Sequence, residues 1–168
     1  MEFTPLVAGK HQSVTYNSVK EHILQEIQKD LKNGSDMSVN LRKDNDSGIP
    51  NSKPNRVIAK KIKNEEDEES DDPMDLKIEQ EGLDMEYTID LKEWKARQNV
   101  YKENNFKAYA IIFGYCNKTM QNRIEETSGF EEKIRNDPFL LLETIKLKMY
   151  ELSMNMSSLL THHYSFCH

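Results

Sequence analysis

The amino-acid sequence predicts an all-α protein, a small helical bundle with a partly disordered N-terminal arm. Helix start and stop signals recur between residues 88 and 151, where apolar side chains also repeat at three- and four-residue steps. Residues 106–116 are apolar nearly all round, which is typical of a helix at the centre of a bundle. This run is far shorter than a membrane span, which needs about 20 residues. We therefore expect the segment around Tyr109 and Phe113 to form the centre of the core.

The N-terminal half begins with one helix, predicted over residues 15–32. Ser18 and Glu21 have the spacing of a capping box, in which both side chains bond to free backbone N–H groups at the helix start. Gly34 fits the C-terminal cap. The apolar stripe of this helix is narrow, so the helix needs a partner surface to be stable.

Loop and linker composition follows. Residues 34–54 are rich in Asn, Asp, Ser, Gly and Pro, and residues 53–72 divide into a basic block and then an acidic block. Blocks of like charge repel themselves and are usually disordered. The basic block is a candidate contact for RNA phosphates, or a nuclear import signal, through Arg56, Lys60, Lys61 and Lys63. We favour a solvated linker, because the adjacent acidic block competes with phosphate.

Two helices separated by a bend are predicted over residues 88–116. Asp90 with Glu93 fits a capping box that begins the first helix, and Asn104-Asn105 marks the bend before the second. A weak helix over residues 74–87 is expected to lead into this pair. The residues predicted to form the core here are Trp94, Tyr101, Tyr109, Ile112 and Phe113.

The C-terminal part contains two further helix starts. Ser128 with Glu131 fits a capping box for a short helix ending near Arg135. Asp137-Pro138 is the stronger signal, because Asp caps free N–H groups and Pro suits the first helical position. Apolar residues then recur at the spacing of the a and d positions of a coiled coil, and we call this series the seam. We favour the interpretation that the seam is one face of a bundle helix, and a dimer zipper is the alternative. The residues assigned to partner contact are Leu142, Ile145, Met149 and Leu152.

Composition narrows the classes of function. The 168 residues have room for one domain, or for one small domain with a disordered arm. A hydrophobic fraction of 36% and a mean hydropathy of −0.81 are low, and a net charge of −6 gives no general affinity for nucleic acid or anionic membranes. The sequence has no secretory signal pattern, and its two cysteines are too few for a disulfide framework. We therefore expect an intracellular, cytoplasmic protein, with the nucleus as the alternative.

The sequence predicts no catalytic, cofactor or metal site. His162, His163, Cys167 and His168 are zinc-ligand residue types without the paired spacing of a zinc site, so a frayed tail is favoured. Cys116 lies among aliphatic and aromatic residues, which indicates a buried thiol rather than a nucleophile. We therefore expect a protein that is not an enzyme, with no cofactor and no small-molecule substrate.

Three parts are predicted along the chain, because the hydrophobic deficit lies mainly in its first half. Residues 1–73 are expected to hold the N-terminal helix and a disordered, charge-segregated linker. Residues 74–160 form the helical module in this prediction, and residues 161–168 are a frayed tail.

Several short motifs follow one another in the helical module. They are Tyr101-Lys102-Glu103-Asn104, Lys107-Ala108-Tyr109, Gly114-Tyr115-Cys116, then Met120, Ile124 and Glu125, and finally Leu141, Leu142, Ile145 and Lys146 after the Asp-Pro helix start. This order resembles the Gag capsid region of copia-type LTR retrotransposons. The resemblance is best over residues 88–150 and looser over residues 16–50.

The resemblance implies an all-helical, capsid-like protein that self-associates to package element RNA, and it implies no catalysis. The sequence lacks the Cys-x2-Cys-x4-His-x4-Cys zinc knuckle of such proteins and stops at His168, so we expect a truncated or domesticated fragment. We expect a homo-oligomer, with weak RNA binding as a secondary property and no membrane association. Two alternatives stay open: a nucleic-acid-binding protein that uses residues 53–63, and a helical adaptor that binds another protein through residues 142–159.

Overall fold

A computed structural model describes residues 12–59 and 73–149 of the chain. The prediction of an all-α protein is confirmed: these two ranges contain helices and no β-strand. The helices are α1 (Gln12–Asp30), α2 (Gly34–Arg42), α3 (Pro73–Gly114), α4 (Lys118–Glu125) and α5 (138–149), with one turn of π-helix at Phe130–Ile134. No helix of the described ranges is long and apolar enough to cross a membrane.

The described chain divides into two compact units. The first unit joins residues 12–48 to residues 100–149, and the second unit joins residues 49–59 to residues 73–99. This division differs from the predicted boundary at residue 73, because α1 belongs with the C-terminal helices. In the first unit, the buried Tyr16 of α1 donates a hydrogen bond to the carbonyl oxygen of Leu142 in α5 over 3.3 Å.

The short connection between α1 and α2 depends on two adjacent residues. Asn33 has a φ of 54°, in the left-handed region that Asn tolerates better than most residues. Gly34, the predicted cap, is instead the first residue of α2, and it lies directly against α1. A Cβ atom added to Gly34 would lie 2.1 Å from the carbonyl oxygen of Ile27. The absence of a side chain at residue 34 therefore lets the two helices approach closely.

Helix α2 corrects the prediction of a loop from residue 34 onward. Its nine residues include polar types with weak helix propensity, which explains why composition indicated a loop. Met37 and Leu41, one turn apart, are both 0% exposed. Burial of these two side chains stabilises a helix that the local sequence favours only weakly.

Helix α3 is continuous over 42 residues, so the predictions of a helix start at Asp90 and of two separate helices on either side of Asn104-Asn105 were wrong. The side-chain amide of Asn104, which is 2% exposed, donates to the carbonyl oxygen of Lys32 over 2.8 Å. Lys32 follows the end of α1, where carbonyl groups lack helical partners. Asn side chains often disfavour helices because they compete for backbone hydrogen bonds. Here the side chain of Asn104 is occupied by a tertiary hydrogen bond instead.

The start of α5 confirms the Asp137-Pro138 signal. One carboxylate oxygen of Asp137 accepts hydrogen bonds from the backbone N–H groups of Phe139 (2.9 Å) and Leu140 (3.0 Å). The short helix predicted to end near Arg135 is present as the π-helical turn Phe130–Ile134, but its N-cap is Gly129 (φ 78°), without a side-chain hydrogen bond, and not the predicted capping box of Ser128 and Glu131. The largest fully buried side chains of the first unit come from α1, α2, α3, α4 and α5. They are Ile23, Leu24, Ile27, Met37, Leu41, Ile112, Met120, Ile124, Leu141, Ile145 and Met149.

Candidate interaction surfaces

The five predicted core residues lie in different environments. Tyr101 and Ile112 are buried, at 7% and 0% exposure. Tyr109 and Phe113 are half-buried and stack on each other, with ring centroids 5.8 Å apart. Trp94 is half-buried in the second unit, where its indole N–H donates to the carbonyl oxygen of Asn51 over 3.1 Å.

The segment over residues 106–116 is not buried on all sides, which corrects the expectation from its composition. Phe106 is 58% exposed, whereas Ala108 and Ile112 are 0% exposed. Phe106 differs in exposure from Ala108 and Ile112 because a helix turns by about 100° per residue and only one face meets the rest of the first unit. Apolar content therefore overestimated how much of this helix the core encloses.

A polar network attaches α3 to the loop after α2. The hydroxyl group of Tyr101 donates to a carboxylate oxygen of Asp46 (2.6 Å) and accepts from the side-chain amide of Asn40 (2.8 Å). The same amide donates to the carbonyl oxygen of Gly48 (2.7 Å), and Ser47 donates to the amide oxygen of Asn40 (2.9 Å). Burial raises the pKa of Tyr101, and the hydrogen bond to Asp46 acts in the same direction. The phenol therefore stays neutral and holds the loop in place.

The predicted partner-contact residues lie inside the protein. Leu142, Ile145 and Met149 are 2%, 0% and 0% exposed, so they cannot offer a surface to a partner in this conformation. Leu152 lies outside the described residues. The seam is the core-facing side of α5, because the rest of the first unit packs against it. An exposed apolar residue of α5 is Leu147, at 56% exposure.

Arg56, a predicted RNA contact, is engaged within the second unit. Its guanidinium donates two hydrogen bonds to the carboxylate of Asp84 in α3, at 2.7 and 2.6 Å. These bonds lower the pKa of Asp84. Nearby, the side chain of Gln80 accepts from the backbone N–H of Ala59 (2.9 Å) and donates to the carbonyl oxygen of Val57 (3.3 Å). Arg56 and Gln80 thus hold residues 56–59 against α3. Lys60, Lys61 and Lys63 lie outside the described residues.

One apolar surface was not predicted. Met74, Ile78, Met85 and Ile89 of α3 are 61%, 58%, 68% and 52% exposed, and we call them the α3 stripe. At about 100° per residue, the four positions lie within an arc of about 60° on one helix face. The signal in the sequence is an eleven-residue repeat, since Met85 and Ile89 follow Met74 and Ile78 at that spacing. The two residues of each pair are four positions apart, but the seven-residue gap between Ile78 and Met85 interrupts the series of three- and four-residue steps.

Cys116 is a buried thiol, as predicted. It is 4% exposed, its sulfur donates to the carbonyl oxygen of Ile112 at 3.6 Å, and burial raises its pKa to about 12. Within residues 12–59 and 73–149, no group of three or more His, Cys, Asp or Glu side chains is arranged to hold a metal ion. The predicted tail cluster of His162, His163, Cys167 and His168 lies outside those ranges.

The folded protein should protect Cys116 from alkylation. At pH 8 we expect iodoacetamide to modify Cys116 at least about a hundredfold more slowly in the folded chain than in urea, because the thiolate is the reactive form. A Cys167→Ser background isolates the signal, and mass spectrometry measures the rate. Rapid modification of the native chain at pH 8 would contradict the burial of this thiol.

The architecture defines the class of this protein: it is all-α, and its longest described helix carries both core residues and an exposed apolar stripe. No protein-family model, curated protein or solved structure matches the chain.

Proposed function

We propose that this protein is a Gag-like structural protein fragment whose function is helical self-association of the capsid type. The observation that carries the proposal is the burial of most apolar residues in the motifs that resemble Gag, with Tyr109 and Tyr115 as half-buried exceptions. Tyr101, Ala108, Cys116, Met120, Ile124, Leu141, Leu142 and Ile145 are all at most 7% exposed. These residues form the core of an all-helical unit, so the resemblance concerns the side chains that determine helix packing.

Self-association is also supported by apolar surface that the described chain leaves exposed. The α3 stripe places four large side chains on one helix face. Contiguous apolar surface of this kind commonly marks a site of protein contact. The nucleic-acid alternative gains no such support from Arg56, whose guanidinium is bound to Asp84. The free thiol of Cys116 is compatible with the proposed intracellular location.

Sedimentation velocity over a concentration series tests the proposal. We expect the weight-average sedimentation coefficient to rise between low and high micromolar protein, because burial of apolar surface drives association. Raising the salt concentration should preserve the association, whereas an assembly held by surface charge alone should weaken. A monomer at every concentration would overturn the proposed function.

A further inference from the structure

The connection between α1 and α2 contains the one Asn-Gly step of the sequence, Asn33-Gly34. In such a step the backbone nitrogen of the glycine can attack the side-chain carbonyl carbon of the asparagine and form a succinimide ring, because glycine has no Cβ atom to hinder the approach. Asn33 is exposed, and its side chain makes no capping hydrogen bond at the start of α2. The reacting amide group is therefore accessible, and the backbone conformation determines whether the ring can close.

The folded backbone holds the two reacting atoms apart. Asn33 has a φ of 54° and a ψ of 31°. At this ψ, viewed along the Cα–C bond, the nitrogen of Gly34 lies near the backbone nitrogen of Asn33 and away from its Cβ atom. Ring closure requires the nitrogen of Gly34 to lie near Cβ, since only then does it reach Cγ. The peptide group between residues 33 and 34 must therefore rotate before the reaction begins.

Three contacts oppose this rotation. The N–H of Gly34 donates to the carbonyl oxygen of Leu31 over 2.9 Å, so a hydrogen bond holds the proton that must leave. The carbonyl oxygen of Asn33 accepts from the N–H of Asp36 over 3.1 Å. Gly34 also packs against Ile27, where an added Cβ would lie 2.1 Å from the carbonyl oxygen. Rotation of the peptide group therefore requires the start of α2 to separate from α1.

We infer that Asn33 is a deamidation site that reacts only when the connection between α1 and α2 opens, and that its isoaspartate product prevents the connection from closing again. In the open state, hydroxide removes the amide proton of Gly34, and the nitrogen forms a bond to Cγ of Asn33. The Cγ–Nδ2 bond breaks, and ammonia leaves with a proton from water. A water molecule then hydrolyses the succinimide to aspartate or to isoaspartate, without any oxidant or reductant.

The two products differ in how they fit the connection. Aspartate keeps the original backbone, and Asp adopts the left-handed region as Asn does. In isoaspartate the chain continues through the side-chain carbon atoms, which lengthens the backbone by one atom. The longer backbone cannot keep the hydrogen bonds to Leu31 and Asp36 while Gly34 stays packed against Ile27. Opening thus becomes irreversible in the chains that form isoaspartate.

Deamidation rates of the full-length chain test the first part of the inference. We expect Asn33 to deamidate at least about tenfold more slowly in buffer at pH 8 than in urea at the same pH, because only open molecules react in buffer. Peptide mapping by mass spectrometry measures both rates and separates the aspartate and isoaspartate products. Equal rates in buffer and in urea would overturn the inference.

Two substitutions in α2 distinguish opening of the connection from a chemical effect of urea. Met37 is 0% exposed, whereas Val39 is 42% exposed. We expect Met37→Ala to raise the deamidation rate of Asn33 in buffer at least about fivefold, because loss of a buried side chain favours opening. Val39→Ala is the matched control and should leave the rate unchanged. A rate that is the same in the wild-type chain and in Met37→Ala would contradict the requirement for opening.

The deamidated chains test the second part. Chains deamidated in urea are returned to buffer, and the isoaspartate form is separated by chromatography. We expect this form to unfold at a lower urea concentration than Asn33→Asp, which carries the same charge on an unaltered backbone. The Asn33→Asp variant should unfold close to the wild-type midpoint, because Asp tolerates the left-handed region. Equal midpoints for the isoaspartate form and Asn33→Asp would show that the connection closes after the reaction, and would overturn this part.

Discussion

Gly34→Ala is expected to destabilise the first unit by about 2–3 kcal/mol, because overpacking where two helices meet forces the backbone to shift. The added Cβ would lie 2.1 Å from the carbonyl oxygen of Ile27 and 3.1 Å from the Cα of Gln28. Both contacts are with backbone atoms, which cannot rotate away as the end of a flexible side chain can. The backbone of Gly34 is not in the left-handed region, so the cost arises from space rather than from conformation.

Gly82→Ala is the matched control and should have the opposite sign. Gly82 lies inside α3, and a Cβ added there meets no atom within 4 Å. Alanine in a helix interior is more favourable than glycine by about 0.8–1.0 kcal/mol, so this variant should be slightly more stable. Urea unfolding followed by far-UV circular dichroism measures both changes. Equal effects of the two substitutions would show that α1 and α2 do not approach closely at residue 34.

Ile112→Ala is expected to lower the free energy of unfolding by about 2–5 kcal/mol, because it leaves a cavity in a closely packed core. Ile112 is 0% exposed and belongs to the segment that the sequence placed at the centre of the bundle. Phe106→Ala removes a larger side chain from the same helix, yet it should cost less than about 0.5 kcal/mol. Phe106 is 58% exposed and has little burial to lose.

The same unfolding measurement decides between two descriptions of this helix. If residues 106–116 were enclosed on every side, Phe106→Ala would cost more than Ile112→Ala, since Phe buries the greater area. The described structure requires the reverse order. A cost at Phe106 that equals or exceeds the cost at Ile112 would show that a further surface covers this face.

Signals that act over a few residues could be predicted from the sequence. Asp137 caps α5 through N–H groups only two and three residues away, so no knowledge of the fold was needed. Asn104 shows the opposite case, because its partner is the carbonyl oxygen of Lys32, 72 residues earlier in the chain. Helix α2 could not be predicted either, since its stability depends on burying Met37 and Leu41 rather than on local propensity.

The sequence by itself determined that this protein is helical, because caps and apolar periodicity are properties of neighbouring residues. Only the tertiary structure decided which apolar faces are enclosed. The seam of Leu142, Ile145 and Met149 is buried, whereas Ile78 and Met85 of the α3 stripe stay exposed. Both patterns are helical and apolar, so periodicity cannot distinguish them. The difference arises from the path of the chain, which brings other helices over one face and leaves the other exposed.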